Sequence, residues 1–456
     1  MNVLLVIRHE KFNVMTILSS ILRYYFWIKD FCRGGAIRSH YLNIRYIQEN
    51  GERAQGLRQQ LLSDLLCYAV KNTRFYHDKI ACDLKHFPVV NKSILQEHYD
   101  EILIPESQNP WQRKGKYHIQ KTSGSTGTPF AVPLDIRKRS RRLAELKYFG
   151  ETIGFRSHDK LVQLRIWTRW QRKTKGQSFW ENIIPFDISN LNDTNLKLLC
   201  DTINKEKAKC LRGYASSFDL LARYVGEHHL KLPSLKIIIA GSEALFDSTR
   251  ELVRENIGCN IVSQYANEEN GILAQEQIGD SLHRFYLNDS GYFFEVLKFD
   301  SDEPAEYGKL GRLVITDLFN YAFPVIRYDN GDNCIMELDE VTQRPYISKL
   351  FGRRLDMIYN TLGEPVFPMT LARILKNYNT ISQWQFVQED QTQYAVKLIL
   401  NGIRGEQNEI ENEILSELRG LLGVNSDIHF RYVNELPVLN SGKRKSVVNL
   451  WRNSSK

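Results

Sequence analysis

Leu235-Lys236-Ile237-Ile238-Ile239-Ala240-Gly241-Ser242-Glu243 is the stretch whose reading decides the fold. A short apolar run closed by a Gly-Ser-Glu stop reads as a compact strand over residues 235–240. Working outward, residues 248–256 read as a helix and 260–265 as another strand. Upstream, the same alternation predicts a strand at 160–166, a helix at 192–205, a short strand at 211–214 and a helix at 216–228. Strands alternating with helices imply an α/β domain built on parallel strands. Ligands of such sheets bind beyond the carboxyl ends of the strands, where Gly241-Ser242-Glu243 and Tyr265 fall.

Farther out the pattern changes. Residues 281–350 become strand-rich, with candidates at 293–297, 311–315 and 324–328 and turns at Tyr307-Gly308 and Asp329-Asn330-Gly331. This predicts a barrel-like part, or a sheet, packed onto the α/β core. Beyond residue 356 the order is strand, strand, helix, strand at 385–387, 394–400, 407–422 and 428–433, which suits a small α+β domain. The division expected is a large N-terminal domain over 1–353 and a smaller one over 354–456, with 1–50 as an amphipathic or packing extension. Nearer the start, residues 54–79 read as a helix, and Asn91 reads as the N-cap of another.

Size and composition set bounds. A chain of 456 residues exceeds one ordinary core. With 42% hydrophobic and 25% charged residues it is globular rather than disordered. Seven cysteines are scattered without a C-x-x-C pair, against a disulfide framework or a zinc cluster and in favour of a reducing, cytoplasmic setting. Residues 12–28 carry Asn13, two serines and Arg23, short of the ~20 apolar residues a membrane span needs. They read as a buried or amphipathic helix, and peripheral membrane association is left open without being the expectation.

The net charge of +8 points to an anionic ligand or partner. Its basic residues gather in Arg137-Lys138-Arg139-Ser140-Arg141-Arg142 and around Trp167 and Trp170, with Arg165, Arg169, Arg172, Lys173 and Lys175. Basic residues interleaved with aromatics suit single-stranded nucleic acid. The reading preferred for both is a solvated helix face and loop, so nucleic acid is not the expected partner.

The chemistry concentrates in Lys121-Thr122-Ser123-Gly124-Ser125-Thr126-Gly127-Thr128-Pro129. Glycines admit close backbone approach, hydroxyls add donors and the lysine adds charge, a combination suited to phosphate oxygens. The spacing is not that of a Walker loop. It is followed in order by Gly241-Ser242-Glu243, Tyr265-Ala266-Asn267-Glu268-Glu269, Arg327-Tyr328-Asp329-Asn330-Gly331-Asp332, Gly352-Arg353-Arg354-Leu355-Asp356 and Ser441-Gly442-Lys443.

This ordered series resembles the adenylate-forming superfamily, and within it the phenylacetate–CoA ligase family and its capsular-polysaccharide (CapK-type) branch. Phe75-Tyr76-His77 and Phe87-Pro88-Val89-Val90-Asn91-Lys92 fit that branch, and the likeness runs from about residue 55 to 448. The resemblance implies ATP-dependent activation of a small carboxylic acid as acyl-AMP, then acyl transfer to CoA or a carrier-protein thiol. It implies that Thr122, Ser123, Gly124, Ser125, Thr126 and Gly127 hold phosphates, that Gly241, Ser242, Glu243 and Tyr265 surround adenine, and that Asp332 holds the ribose. Glu269 would bind Mg²⁺, Arg353 a phosphate, and Lys443 would act catalytically from a mobile C-terminal domain. The sequence departs from the family at Ala266, Glu268, Asp329-Asn330 and Leu355. Two other readings stay open: transfer to a hydroxyl or amine without CoA, and a basic nucleic-acid-binding protein with a degenerate site.

Overall fold

The computed structural model describes residues 14–79, 83–112, 115–121, 130–167, 173–353, 358–366, 370, 371, 374, 375, 378, 380–400, 407–437 and 445–451. The central strand is the one the opening stretch predicts, Ile237–Gly241. In chain order the strands are β1 His118–Lys121, β2 Ala131–Leu134, β3 Leu161–Arg165, β4 Ile183–Asp187, β5 Cys210–Tyr214, β6 Ile237–Gly241, β7 Asn260–Asn267, β8 Gly271–Gln275 and β9 Phe285–Leu287. Then come β10 Tyr292–Leu297, β11 Leu310–Asp317, β12 Tyr328–Leu338 and β13 Pro345–Arg353. The helices are α1 Val14–Cys32, α2 Ala36–Asn50, α3 Gln55–Asn72, α4 Lys92–Glu97, α5 Tyr99–Ile102, α6 Ile136–Thr152, α7 Lys175–Glu181, α8 Asp193–Glu206, α9 Ala215–Glu227 and α10 Asp247–Leu252.

Eleven strands form one sheet, in the order β10-β11-β12-β13-β9-β8-β7-β6-β5-β3-β4. From β4 to β7 every pairing is parallel. From β7 onward every pairing is antiparallel. The strand-rich region therefore continues the α/β sheet instead of making a sheet of its own, because β7 turns straight back into β8 and that edge recruits β9 and β13. Val162, Leu164, Leu211, Ile238 and Ala240 pack on one face with α8 and α9. Ile153, Leu161, Cys210, Ile237 and Ile239 pack on the other with the end of α6. Burial on both faces explains why these strands read as unbroken apolar runs. Helix starts follow capping chemistry: Asn91 accepts from the Ile94 amide, Asn192 from that of Asn195 and Asp135 from that of Lys138.

Two local expectations change. The strand expected at 324–328 is a buried connector, and β12 begins only at Tyr328, because Arg327 sits at φ 49. The turn expected at Asp329-Asn330-Gly331 lies inside β12 as an irregularity: the β11 pairing jumps from Arg312↔Asn333 to Val314↔Asp329. Gly331, at φ 85, supplies the left-handed residue such a bulge needs.

The remaining strands are β14 Ile358–Tyr359, β15 Pro365–Val366, β16 Ile381–Gln388, β17 Gln393–Leu400, β18 Asp427–Tyr432 and β19 Val447–Asn449, with helix α11 Gln407–Leu422. Four of them form a separate sheet ordered β18-β17-β16-β19, as the α+β pattern predicts. Its core gathers Phe386, Val396, Leu398, Ile414 and Leu418, and Phe246 joins it through a ring contact with Trp384 at 5.6 Å.

A candidate nucleotide site at the strand ends

The carboxyl ends of β5, β6 and β7 and the β12 bulge meet on one side of the sheet. Gly241 ends β6, and Ser242 takes φ 67 just beyond it. The Glu243 carboxylate accepts a 2.9 Å hydrogen bond from the Ser216 amide in the first turn of α9, a position favourable to negative charge. Next to β6, β7 carries Tyr265, whose hydroxyl donates to Asp332 Oδ2 at 2.5 Å. Asn330 Nδ2 donates both to the Tyr265 oxygen at 2.6 Å and to Asp332 Oδ2 at 3.1 Å. Burial, then the Asp332 carboxylate, push the Tyr265 hydroxyl well above its ordinary pKa, so it is a fixed donor at neutral pH. The bulge takes Asn330 and Asp332 out of the pairing with β11, and both meet Tyr265 there.

Asp332 is the register partner of Arg353, at the end of β13. Two motifs far apart in sequence thus share one ladder position. The rest of the 327–332 segment is structural. Arg327 pairs with Glu295 at 3.0 Å and donates to the Phe87 carbonyl, and Asp329 pairs with Arg312 at 3.0 Å.

The β7–β8 turn holds both glutamates. Tyr328 donates to Glu269 at 3.4 Å. Glu268 is the better anchored: Gln120 Nε2 donates to it at 2.6 Å, Arg165 Nη2 lies at 3.4 Å and Arg142 donates to its carbonyl at 3.2 Å. Gln120 stands in β1, which pairs with β2 around the phosphate-loop candidate. Glu268 therefore ties the base of that loop to the end of β3. Residues 122–127 of the loop and Lys443 lie outside the described residues. Lys445 and Ser446, just after Lys443, line a cleft with Ser216, Glu243, Phe246 and Trp384.

Among the described residues no group of three or more His, Cys, Asp or Glu side chains could hold a metal ion. A lone carboxylate such as Glu269 fits a Mg²⁺ ion whose other ligands are phosphate oxygens and water.

The C-terminal region, residues 358–450, matches the family model described as the CapK C-terminal domain. Over 445 residues the chain is 24% identical to Protein CapK of Staphylococcus aureus, covering 92% of this chain and 94% of that one. These matches support an adenylate-forming, CapK-type ligase. It is also 23% identical to the phenylacetate-coenzyme A ligase of Thermus thermophilus over 344 residues, 71% of this chain and 75% of that one. Among solved structures, the fold matches 2-hydroxyisobutyryl-CoA ligase in its postadenylation state with 2-HIB-AMP, at TM-score 0.71 and 18% identity over 89% of this chain and 92% of that one.

Gln120, Arg142, Arg165 and Asn330 are absent from the residue set the sequence suggests. Arg165 ends β3, so the strand-end rule alone would have flagged it. Asn330 was hidden because a bulge inside a long strand looks like a turn in sequence. The basic run 137–142 is a correction of a different kind. It is a solvated face only in part: Arg139 is exposed, but Lys138 and Arg141 are fully buried, and Arg137 lies over Trp111 at 4.5 Å.

Proposed function

We propose that this CapK-type chain uses ATP to activate a small carboxylic acid as acyl-AMP and then transfers the acyl group to CoA or a carrier-protein thiol. The observation that carries this reading is the Tyr265–Asn330–Asp332 cluster, joined by strand register to Arg353 at the ligand end of the sheet. It offers one carboxylate for a ribose and an aromatic wall, and the strand that carries Arg353 runs in register beside them. Similarity to phenylacetate-coenzyme A ligases supports the same chemistry.

In the first step a substrate carboxylate oxygen bonds to the α-phosphorus, the bond from that phosphorus to the bridging oxygen breaks, and pyrophosphate leaves. In the second the acceptor thiol loses its proton, its sulfur bonds to the acyl carbon, and AMP leaves. Catalysis of this kind is mostly positioning and electrostatic stabilisation. Thr122, Ser123, Gly124, Ser125, Thr126 and Gly127 are assigned to the β- and γ-phosphates, and Arg353 to phosphate in the first step. Lys443 supplies a point charge to the α-phosphate and the carboxylate from the domain after residue 353. Glu269 would hold a Mg²⁺ ion, which neutralises phosphate charge when bound. A place in surface-polysaccharide synthesis and a cytoplasmic setting complete the reading and rest on the CapK-type resemblance and the cysteine pattern.

The test is ATP–pyrophosphate exchange across sugar acids, amino acids and aromatic acids. Exchange that depends on one class of acid and falls at least a hundredfold in Lys443→Ala is the expected result. No exchange with any acid, alongside measurable ATP binding, overturns the carboxylate reading. A stable acyl or AMP product formed without CoA or a carrier moves the acceptor to a hydroxyl or amine.

A further inference from the structure

Helix α1 sits on the body of the protein by one face and leaves the other bare. Inward, Leu22 is 2% exposed, Ser19 accepts from Asn182, and Arg23 pairs with Asp159 at 2.9 Å. Phe26 packs on His158. Outward, Ile17, Ile21, Tyr24, Ile28 and Phe31 follow one another at spacings of four and three residues, a single stripe along the helix. They are 42%, 57%, 70%, 61% and 80% exposed. The stripe widens sideways, because Tyr25 stacks at 4.7 Å on Trp180 of α7, and Phe179 beside it is exposed as well. A contiguous apolar surface of this kind is unusual on a soluble domain and marks a contact site.

Its rim decides the partner. The one acid in α1, Asp30, is buried and accepts from the Ile37 and Arg38 amides. Lys29, Arg33 and Arg38 are all exposed at that end, and Lys175 is exposed at the start of α7. Self-pairing of two copies along α1 would bring together helices that carry exposed cations and no exposed acid, and the exposed Glu181 of α7 is already met by Lys173 at 2.6 Å. An anionic lipid surface answers both features: apolar and aromatic side chains enter the acyl boundary and the cations meet headgroup charge. No helix among the described residues is long and apolar enough to cross a membrane, so the geometry is that of a helix lying in the interface. We infer that the outer face of α1, with Phe179 and Trp180, docks the protein on an anionic lipid bilayer.

The experiment is flotation of the full chain with vesicles of phosphatidylcholine containing 30% phosphatidylglycerol, against vesicles of phosphatidylcholine alone, at low and high salt. Binding to the anionic vesicles, weakened by salt, is expected. Ile28→Glu with Phe31→Glu should lower that binding at least tenfold, and Lys29→Ala with Arg33→Ala severalfold. All four positions are exposed, and an unchanged thermal midpoint confirms that each variant folds. Absence of binding to anionic vesicles overturns the inference, as does binding that the Ile28/Phe31 variant retains. Sedimentation velocity on the same samples covers the rival occupant: dimers dissociated by Ile28→Glu, without vesicle binding, assign the face to a second copy.

Discussion

Helices α6 and α1 invert what their compositions suggest. In α6, Arg137-Lys138-Arg139 and Arg141-Arg142 form the densest basic run in the chain, yet Lys138, Arg141 and Glu145 are within 1% of full burial while Ile136, Leu143 and Leu146 face outward. In α1, isoleucines and aromatics dominate, and six of them lie in the open. The difference lies in what each helix finds opposite it. For α6, strand β11 supplies Asp317, whose carboxylate meets Lys138 at 2.6 Å, and the β9–β10 turn supplies the Ser290 carbonyl, which accepts from Arg141 at 2.5 Å. Asn43 of α2 accepts from Arg141 at 2.7 Å, and Phe319 lies 4.0 Å beneath the guanidinium. Buried charge is tolerated where opposite charge lies close, as Asp317 does to Lys138 and Glu145 does to Arg141, even though Arg141 Nε and both Glu145 oxygens make no hydrogen bond. For α1 the described residues cover one face and leave the other open.

The largest effect should come from breaking the buried pair on one side. Lys138→Met leaves Asp317 charged and unpaired in the interior, which typically costs about 3–5 kcal/mol. Urea denaturation should show that loss, and Lys138→Met combined with Asp317→Leu should recover most of it. If the single variant unfolds no more easily than the parent, α6 is not held by this pair and the contrast with α1 loses its basis.

A smaller effect separates the two faces of α1. Leu22→Ala removes a core side chain and should cost about 2–5 kcal/mol. Ile21→Ala, one residue away on the open stripe, should stay within about 0.5 kcal/mol. Thermal or urea melts of the two variants side by side decide it. Equal losses would mean that the stripe is covered in solution.

This inversion also marks where sequence reading stops. Periodicity located β3, β5, β6 and β7 and the helices α8, α9 and α10, because buried parallel strands and their crossovers leave apolar runs and caps that local sequence records. In the four-stranded sheet after residue 380, β16, β17 and β18 were legible as short apolar runs, and β19 was not. The site was legible as far as its motifs: Tyr265 and Asp332, 67 residues apart, are hydrogen-bonded. What joins them was not, since the bulge that presents Asn330 and the pairing of Asp332 with Arg353 depend on the register of β12 with its neighbours. Burial of the 137–142 run was equally hidden, because it depends on Asp317 and Ser290, which lie more than 140 residues downstream.

The smallest effect is a pH dependence at the edge of the α6 cluster. His40 of α2 packs edge-on against Phe319 at 5.5 Å. Burial first, then the nearby charges of Arg141, Arg137 and Lys138, lower its pKa from 6.5 to about 3. Below pH 6.5 the unfolded chain therefore binds a proton that the folded chain refuses until about pH 3. The stability due to a neutral His40 is present above pH 6.5 and declines as pH falls through that window. The slope cannot exceed ~1.4 kcal/mol per pH unit, and partial solvent access should hold it to a fraction of that. Carboxylates titrate in the same range, so the observable is a difference. Urea midpoints of the parent and of His40→Gln, measured at pH 7, 6, 5 and 4, should converge toward acid, with the variant the less pH-sensitive of the two. Parallel curves would mean that His40 gains its proton in the folded state as readily as in the unfolded one. The cations of α6 would then be screened from His40, and their burial would rest on Asp317, the Ser290 carbonyl and Asn43.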